Sequence, residues 1–445
     1  MSELLDIAQK AVKAAMAAGA DFADAYCLEM REVGVGVENS SLRETEVVRD
    51  YGIGVRAFHD GGVGRASTQS LQPEDVVECA RSAAALAKAA DPDPDFVTLP
   101  DPAEPPPVDD LFDDTVAGLE VEQVVEWCTQ AIEEARAIEP GVRLEGGASL
   151  TVGSSAIASS TGIGLQRSGT SLGISFQAVV VDGEDVGVYF EYDAARLLND
   201  FVPTGVAAKA TQQARRYLGG RTVKTKRLPL VLGPLAASGL LFSCVSAAAA
   251  ENIQRNRSFL AGKEGQPIAS ELLTITEAPL VAGGLSSSAY DGEGVPKVER
   301  RLIKDGVLTT YLHNSYTANK AGVANTAHAG RQGYRGAVGV TTSNLQVALG
   351  TRTEAELISE IDEGLYIAYG GLQPDGASGD ISATVDFGFK IEKGELAYPV
   401  ATTMVGSDAF EVLGKIDAVS SDYREEPGII VPSLRIRDIQ VASQE

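Results

Sequence analysis

The sequence predicts an α+β fold: a helix-bearing N-terminal α/β domain followed by a mainly antiparallel, β-rich C-terminal domain with one buried helix. Three observations predict it. Up to about residue 222, stretches of helical periodicity are interspersed with stretches of period-two alternation. Beyond Arg257 alternation dominates, with Asp305-Gly306 and Lys393-Gly394 as hairpin turns. Between them lies a single small-residue apolar run, "GPLAASGLLFSCVSAAAA", at 233–250. A length of 445 residues suits two or three domains. Two are placed, at 1–222 and 223–445, with the boundary near 221–226.

The first helix is predicted by the apolar stripe Leu4, Leu5, Ala8, Ala11, Val12 and Ala15, with Ser2 as its cap and Gly19 as its stop. "ADAYCLEMREVGVGVEN" and "YGIGVRAFHDGGVGRAST" read as strands, the second turning at Asp60-Gly61-Gly62. Their many glycines lie within a hairpin, not before a helix. They therefore point to backbone crowding or bulges, not a phosphate cradle. Pro73, Glu74 and Asp75 open a second helix. Seven prolines and many acids at 91–114 exclude a helix or a central strand and predict a solvated surface excursion. A third helix follows at Val121–Ile138, then β structure at 142–192 turning at Asp182-Gly183, then a helix ending at Gly219.

The second domain opens with the strand "RLPLVLG" and the helix that contains "SCVSAAAAENIQRN", 243–256. Later strands are expected in "ELLTITEAP", "KVERRLIKDGVLTTYLH", "AVGVTTSNLQVALG", "ISATVDFGFKIEKGELAYPV" and "SLRIRDIQVAS". Short helices are expected at 354–363 and 409–413. The run 233–250 is borderline in length for a membrane span. Its Ser and Ala content and Pro234 make it a buried soluble helix instead.

Composition excludes several classes. Lys and Arg total 37 against 62 Asp and Glu, a formal net charge of −25, with no basic run. Nucleic-acid binders need clustered positive charge to release counterions, so direct DNA contact is not expected. The N-terminus has no basic region before an apolar one, so no signal peptide is expected. The four cysteines, Cys27, Cys79, Cys128 and Cys244, are far apart and read as reduced, buried thiols of a cytoplasmic protein.

Candidate chemistry is sparse. "GTSLG" at 169–173 fits the nucleophile-elbow pattern, but a strand follows where an elbow needs a helix, which argues against Ser171. His59, His313 and His328 share no helix face, and no H-E-x-x-H or H-E-x-x-x-H occurs, so a catalytic zinc site in this chain is not expected. Each histidine reads as a surface or hydrogen-bonding residue. "GGLSSSAYDGEGVP" at 283–296 reads as an exposed loop of the kind that carries binding residues, and "GGLQPDGASGD" at 370–380 is similar in kind.

The order of these segments resembles the TldD/PmbA family, whose members have been called modulators of DNA gyrase. The likeness is carried by "YGIGVRAFHDGGVGRAST", "LPLVLGP" with its small-residue helix, "GLSSSAYDGEGVPKVERRLIKDGVLTTYLHNSYTANKAGVANTAHAG" and "GELAYPVATTMVGSDAFEVLGKIDAVSSD". It spans nearly the whole chain. In the TldD branch the C-terminal-domain helix carries a zinc-binding H-E-x-x-x-H, with a further Cys ligand in a later loop. In the PmbA branch, also called TldE, the motif is absent. The resemblance implies a heterodimeric peptidase acting on unfolded or precursor peptides, with zinc only in the TldD-like subunit. Counting back from "FLAGKEGQ", the motif positions fall on Leu241, Phe242 and Ser246, and "DYREEPGIIVPSLRI" has no Cys. "NTAHAG" with His328 also fits the PmbA/TldE branch.

The expectation is therefore a non-catalytic subunit: no metal or cofactor of its own, zinc in a TldD-like partner, peptide as substrate, and no membrane or nucleic acid. Chamber-lining candidates are Ser286, Ser287, Ser288, Asp291, Glu293, His328, Asp375, Ser378 and Asp380. The alternative is a homodimeric peptide-binding or scaffold protein without activity. A metal-independent serine hydrolase using Ser171 or Ser287 is a third reading.

Overall fold

The computed structural model describes residues 2–443. Strands β1 (Phe22–Glu38), β2 (Ser41–His59), β3 (Gly62–Thr68), β4 (Arg143–Ser159), β5 (Gly164–Asp182) and β6 (Asp185–Ala195) make one six-stranded sheet. Its order is β3-β2-β1-β4-β5-β6, antiparallel throughout. Four helices pack on one face. α1 (Ser2–Ala17) and α2 (Pro73–Ala89) share a core with Ala23, Ala25 and Cys27 of β1. After the single turn α3 (Asp114–Ala117), α4 (Val121–Ile138) and α5 (Val206–Arg216) share another with Val33, Val35 and Val37 of the same strand. All six β1 residues are odd-numbered, so period two sends them to one side. The even-numbered Asp24, Tyr26 and Leu28 face the other way, and that face carries the site described below.

Gly19 ends α1 with φ +91°, as expected. The side chain of Ser2, the expected cap, lies outside the described residues. The hairpin glycines do serve close backbone approach. A Cβ on Gly64 would stand 2.0 Å from the Ala83 carbonyl of α2, and one on Gly54 would stand 1.8 Å from the Tyr334 carbonyl. The Pro-rich stretch 91–114 is more than a solvated excursion. Leu99 is buried, and Phe96 stacks on Phe58 with centroids 4.0 Å apart. Proline forbids helix and ladder here but not an extended strap packed across a sheet.

In the second half, β7 (Lys226–Leu232) leads into α6 (Pro234–Ala247). The run 243–256 is not one helix. Ala249 bridges to Leu312, with Ala250 N–H donating to the Leu312 carbonyl and Leu312 N–H to Ala248, and a separate turn, α7 (Ala250–Gln254), follows. Small sheets then occupy the middle: β8 (Ile275–Glu277), β9 (Arg300–Lys304), β10 (Val307–Leu308), β11 (Ala329–Arg331), β12 (Val338–Val340) and β13 (Leu345–Val347). The strands here are much shorter than the alternation predicts, because side chains such as Asn314 and Asn344 bind backbone that a ladder would otherwise use. An unforeseen helix, α8 (Ser315–Ala321), starts on a capping box of Asn314 and Thr317.

The remaining elements are α9 (Glu354–Ser359), β14 (Glu363–Gly370), β15 (Asp380–Glu392), β16 (Glu395–Pro399), β17 (Thr403–Asp408), α10 (Ala409–Gly414), β18 (Ile416–Tyr423) and β19 (Pro432–Ser443). The helix expected over 354–363 thus stops early, since Glu363 already pairs with Glu392. β14, β7, β19, β17 and β15 close into a ring through the β14–β15 pairing, and only β14–β7 is parallel. α6 buries Leu240, Leu241, Cys244 and Val245 in the core this ring helps to form. No helix among the described residues is long and apolar enough to cross a membrane.

Candidate functional site

A cavity of about 1110 Å³ lies between the face of the N-terminal sheet that carries Tyr26, Leu28 and Arg56 and the irregular middle of the second half. Tyr26, Leu28 and Arg56 form its sheet wall, joined by Thr151, Ser155, Arg167 and Ser171 from β4 and β5. Phe96, Thr98 and Leu99 of the Pro-rich strap close one side. Glu251 and Gln254 of α7, Tyr316 of α8 and residues around β11 and β12 complete it. These parts are far apart in sequence, and buried charges tie them together.

Asp24 is the hub. Its carboxylate accepts from Arg56 Nε at 3.1 Å, pairs with Arg56 Nη2, and pairs with Arg331 Nη2 at 2.8 Å. Arg56 Nη2 also reaches Glu293 Oε1 at 2.9 Å, and Glu293 Oε2 accepts from the Ser315 N–H at 2.9 Å. Burial alone would raise the Asp24 carboxyl; Arg331 and Arg56 outweigh it and hold it below the ordinary range. Asp291 is different. It accepts backbone N–H groups from Glu293, Val295 and Ala329, at 2.8 to 3.0 Å. No cation pairs with it among the described residues, and burial, then the Glu293 charge, push it up to about 6.

The structure brings some expected residues together and separates others. Ser286, Ser287, Ser288, Asp291 and Glu293 all line the cavity. Contrary to the expectation of an exposed loop, Ser287, Ser288, Asp291 and Glu293 are buried. The two serines satisfy their hydroxyls locally: Ser287 Oγ donates to the Val281 carbonyl at 2.7 Å and Ser288 Oγ to the Tyr290 carbonyl at 2.6 Å. His328 is the hydrogen-bonding residue of the two readings and not a surface one: it is buried and does not line the cavity. Its Nε2 meets Glu277 Oε2 at 2.5 Å and its Nδ1 meets Thr326 Oγ1 at 2.8 Å. His313 is likewise buried, and burial lowers its pKa. Asp375, Ser378 and Asp380 stand elsewhere, on a surface turn where Asp375 accepts from the Ala377 and Ser378 N–H groups. They do not line the cavity. Sequence reasoning missed Asp24, Arg56, Arg167, Lys297 and Arg331. For Asp24 and Arg56 the available signal was a lone charge in each of the largely apolar stretches 22–28 and 52–58.

The residues do not suit a metal. Leu241 is fully buried, Phe242 has no donor atom, and Ser246 is exposed and neutral. None of them lines the cavity. Cys244 is buried in apolar surroundings that push its thiol up to about 12, far from the thiolate a metal needs. Among the described residues no group of three or more His, Cys, Asp or Glu is arranged to hold a metal ion. Asp24, just outside the cavity lining, and Glu293 are neutralised by guanidinium groups, whereas Asp291, which lines the cavity, has no cation partner among the described residues. Such a site can bind and orient a ligand.

Residues 225–443 match the PmbA/TldA metallopeptidase C-terminal domain, residues 23–87 match domain 1, and residues 114–218 match the central domain. The chain belongs to the PmbA/TldD family. Metalloprotease PmbA of Escherichia coli O157:H7 is 26% identical over 423 residues, covering 93% of this chain and 90% of that one. A metalloprotease TldD homolog of Haemophilus influenzae is 29% identical over 265 residues, covering 59% of this chain and 52% of that one. The crystal structure of TldE from Thermococcus kodakarensis superimposes with a TM-score of 0.89 at 24% identity, over 98% of this chain and 100% of that one. The family member described here therefore shares that fold along essentially its whole length.

Proposed function

We propose that this chain is the non-catalytic, TldE-like subunit of a two-subunit metallopeptidase that acts on unfolded or precursor peptides. The observation that carries this reading is the helix α6. Its positions corresponding to H-E-x-x-x-H hold Leu241, Phe242 and Ser246, two of them without a donor atom and one exposed and neutral. Zinc would then sit in a TldD-like partner, and this chain would complete a peptide chamber with its 1110 Å³ cavity. The extended strap and the sheet wall suit an extended peptide. The relatives' metalloprotease names support a family-wide link to peptide hydrolysis.

The test is reconstitution. The purified chain alone should cleave no unfolded peptide, and addition of an H-E-x-x-x-H family member should produce cleavage with one-to-one co-elution. Cleavage by the single chain, sensitive to chelators, would overturn the reading. A stable homodimer that ignores the H-E-x-x-x-H protein would favour a scaffold role instead.

A further inference from the structure

Three cations at one part of the cavity have no carboxylate of their own. Lys297, Arg167 and Arg196 all line it. Lys297 is only 6% exposed, yet among the described residues its ammonium makes no hydrogen bond and no ion pair. Burial lowers its pKa. The charges that favour its protonated form are Glu277 and Asp291, and both are committed elsewhere. Glu277 binds His328 and Ser343, and Asp291 takes three backbone N–H groups. Arg167 donates to Ser288 Oγ at 2.5 Å and lies over the Tyr290 ring. Arg196 donates to the carbonyls of Gly284 and Leu285 at 2.8 and 2.7 Å and of Thr170 at 3.3 Å. Neither arginine forms an ion pair among the described residues, and the charge of Arg167 disfavours the charged forms of both Lys297 and Arg196.

A buried ammonium beside two unpaired guanidinium groups is unfavourable unless something supplies negative charge. Of the eight Lys and Arg that line the cavity, Arg56, Arg331 and Lys320 are ion-paired with Asp24, Glu293 and Asp95, whereas these three are not. We infer that Lys297, with Arg167 and Arg196 beside it, forms a carboxylate-binding corner that receives the free C-terminus or an acidic side chain of a peptide in the cavity. The identity of the ligand rests on the peptide-chamber reading above. A monoanion is favoured over a phosphate dianion because Glu277 and Asp291 stand within electrostatic reach of Lys297 and oppose a second negative charge.

The experiment uses the full chain and four fluorescent peptides of one sequence. Two differ only in a free or amidated C-terminus, and two amidated ones differ only in an internal Glu or Gln. A charge-assisted hydrogen bond in a desolvated site is worth about tenfold or more in affinity. The free acid, the Glu peptide, or both should therefore bind at least about tenfold tighter than the neutral partner. That preference should vanish in K297M, with the amide's affinity unchanged, and persist in K297R. K297M replaces a buried charge by an apolar chain of similar length, so it should fold, as circular dichroism would show. N-acetylalanine should compete, and inorganic phosphate should compete less well. Equal binding within both peptide pairs, a preference retained in K297M, or phosphate competing as well as N-acetylalanine would overturn the corner. Saturable, Lys297-dependent binding of N-acetylalanine without any peptide binding would keep the corner and sink the peptide chamber. Failure of both probes would sink the corner.

Discussion

Replacing Asp24 with Asn removes the one negative charge shared by Arg56 and Arg331. After the change Arg56 keeps Glu293 at 2.9 Å, while Arg331 is left without a paired carboxylate and with neutral acceptors such as the Gly292 carbonyl at 2.6 Å. All these groups are buried. Removing one partner of a buried pair costs about 3–5 kcal/mol, because the other charge stays desolvated. An unfolding entropy of about 2.1 cal/mol/K per residue gives about 0.9 kcal/mol/K for 445 residues, so Tm should fall by about 3–5 °C if the two halves unfold together. Differential scanning calorimetry of the two proteins checks this. The pH dependence follows from the depressed Asp24 carboxyl. Its stabilisation is present above the unfolded-state value near 4 and is lost as pH falls through the lower folded-state value. The difference between wild type and D24N should therefore be constant from pH 5 to 8 and shrink on further acidification. A loss under about 1 kcal/mol, or one that does not shrink in acid, would refute the argument that this cluster holds the two halves together.

Asp291 should behave in the opposite sense. Its folded-state value is raised from 3.8 to about 6, so the fold favours the protonated acid, and that preference is lost as pH rises through about 6. The stability of D291N relative to wild type should rise by up to about 3 kcal/mol between pH 4 and 7, measured by urea unfolding; a flat difference would contradict it. Burial pushes the thiols of Cys27 and Cys244 up to about 12 and those of Cys79 and Cys128 up to about 11. The native chain should thus release almost no thionitrobenzoate from Ellman's reagent at pH 8, and all four thiols should react in guanidinium. A thiol reacting at full rate in the native protein would contradict that burial.

The first half of the fold was legible because its signals are long. β1 and β5 run for 17 and 19 residues, so alternation has room to declare a buried parity. α2 announced itself through Pro73 and its acidic first turn. The middle of the second half was not, because its strands are two to five residues long and its backbone is held by Ser258, Asn314 and Asn344 side chains. The Asn314–Thr317 capping box was a readable sign of α8 that periodicity alone overlooks. The break after Ala247 has no local signal, since it depends on Leu312, far along the chain.

For the site, composition singled out Ser286 to Glu293, which do line the cavity. The opposite wall could not be read. Arg56 and Glu293 are 237 residues apart, and a charged even-numbered face on β1 looks the same whether it meets solvent or another domain. The 370–380 stretch shared the loop-like composition, but its Asp375 is engaged in a surface turn. Composition marks turns and binding loops alike, and only topology separates them.

The central claim is that this chain contributes a chamber and not the metal. Zinc per chain, measured by elemental analysis after gel filtration, tests it most directly. The purified single chain should contain far less than one zinc per molecule, and the complex with an H-E-x-x-x-H family member about one per pair. One zinc bound stoichiometrically by the chain on its own would contradict the account.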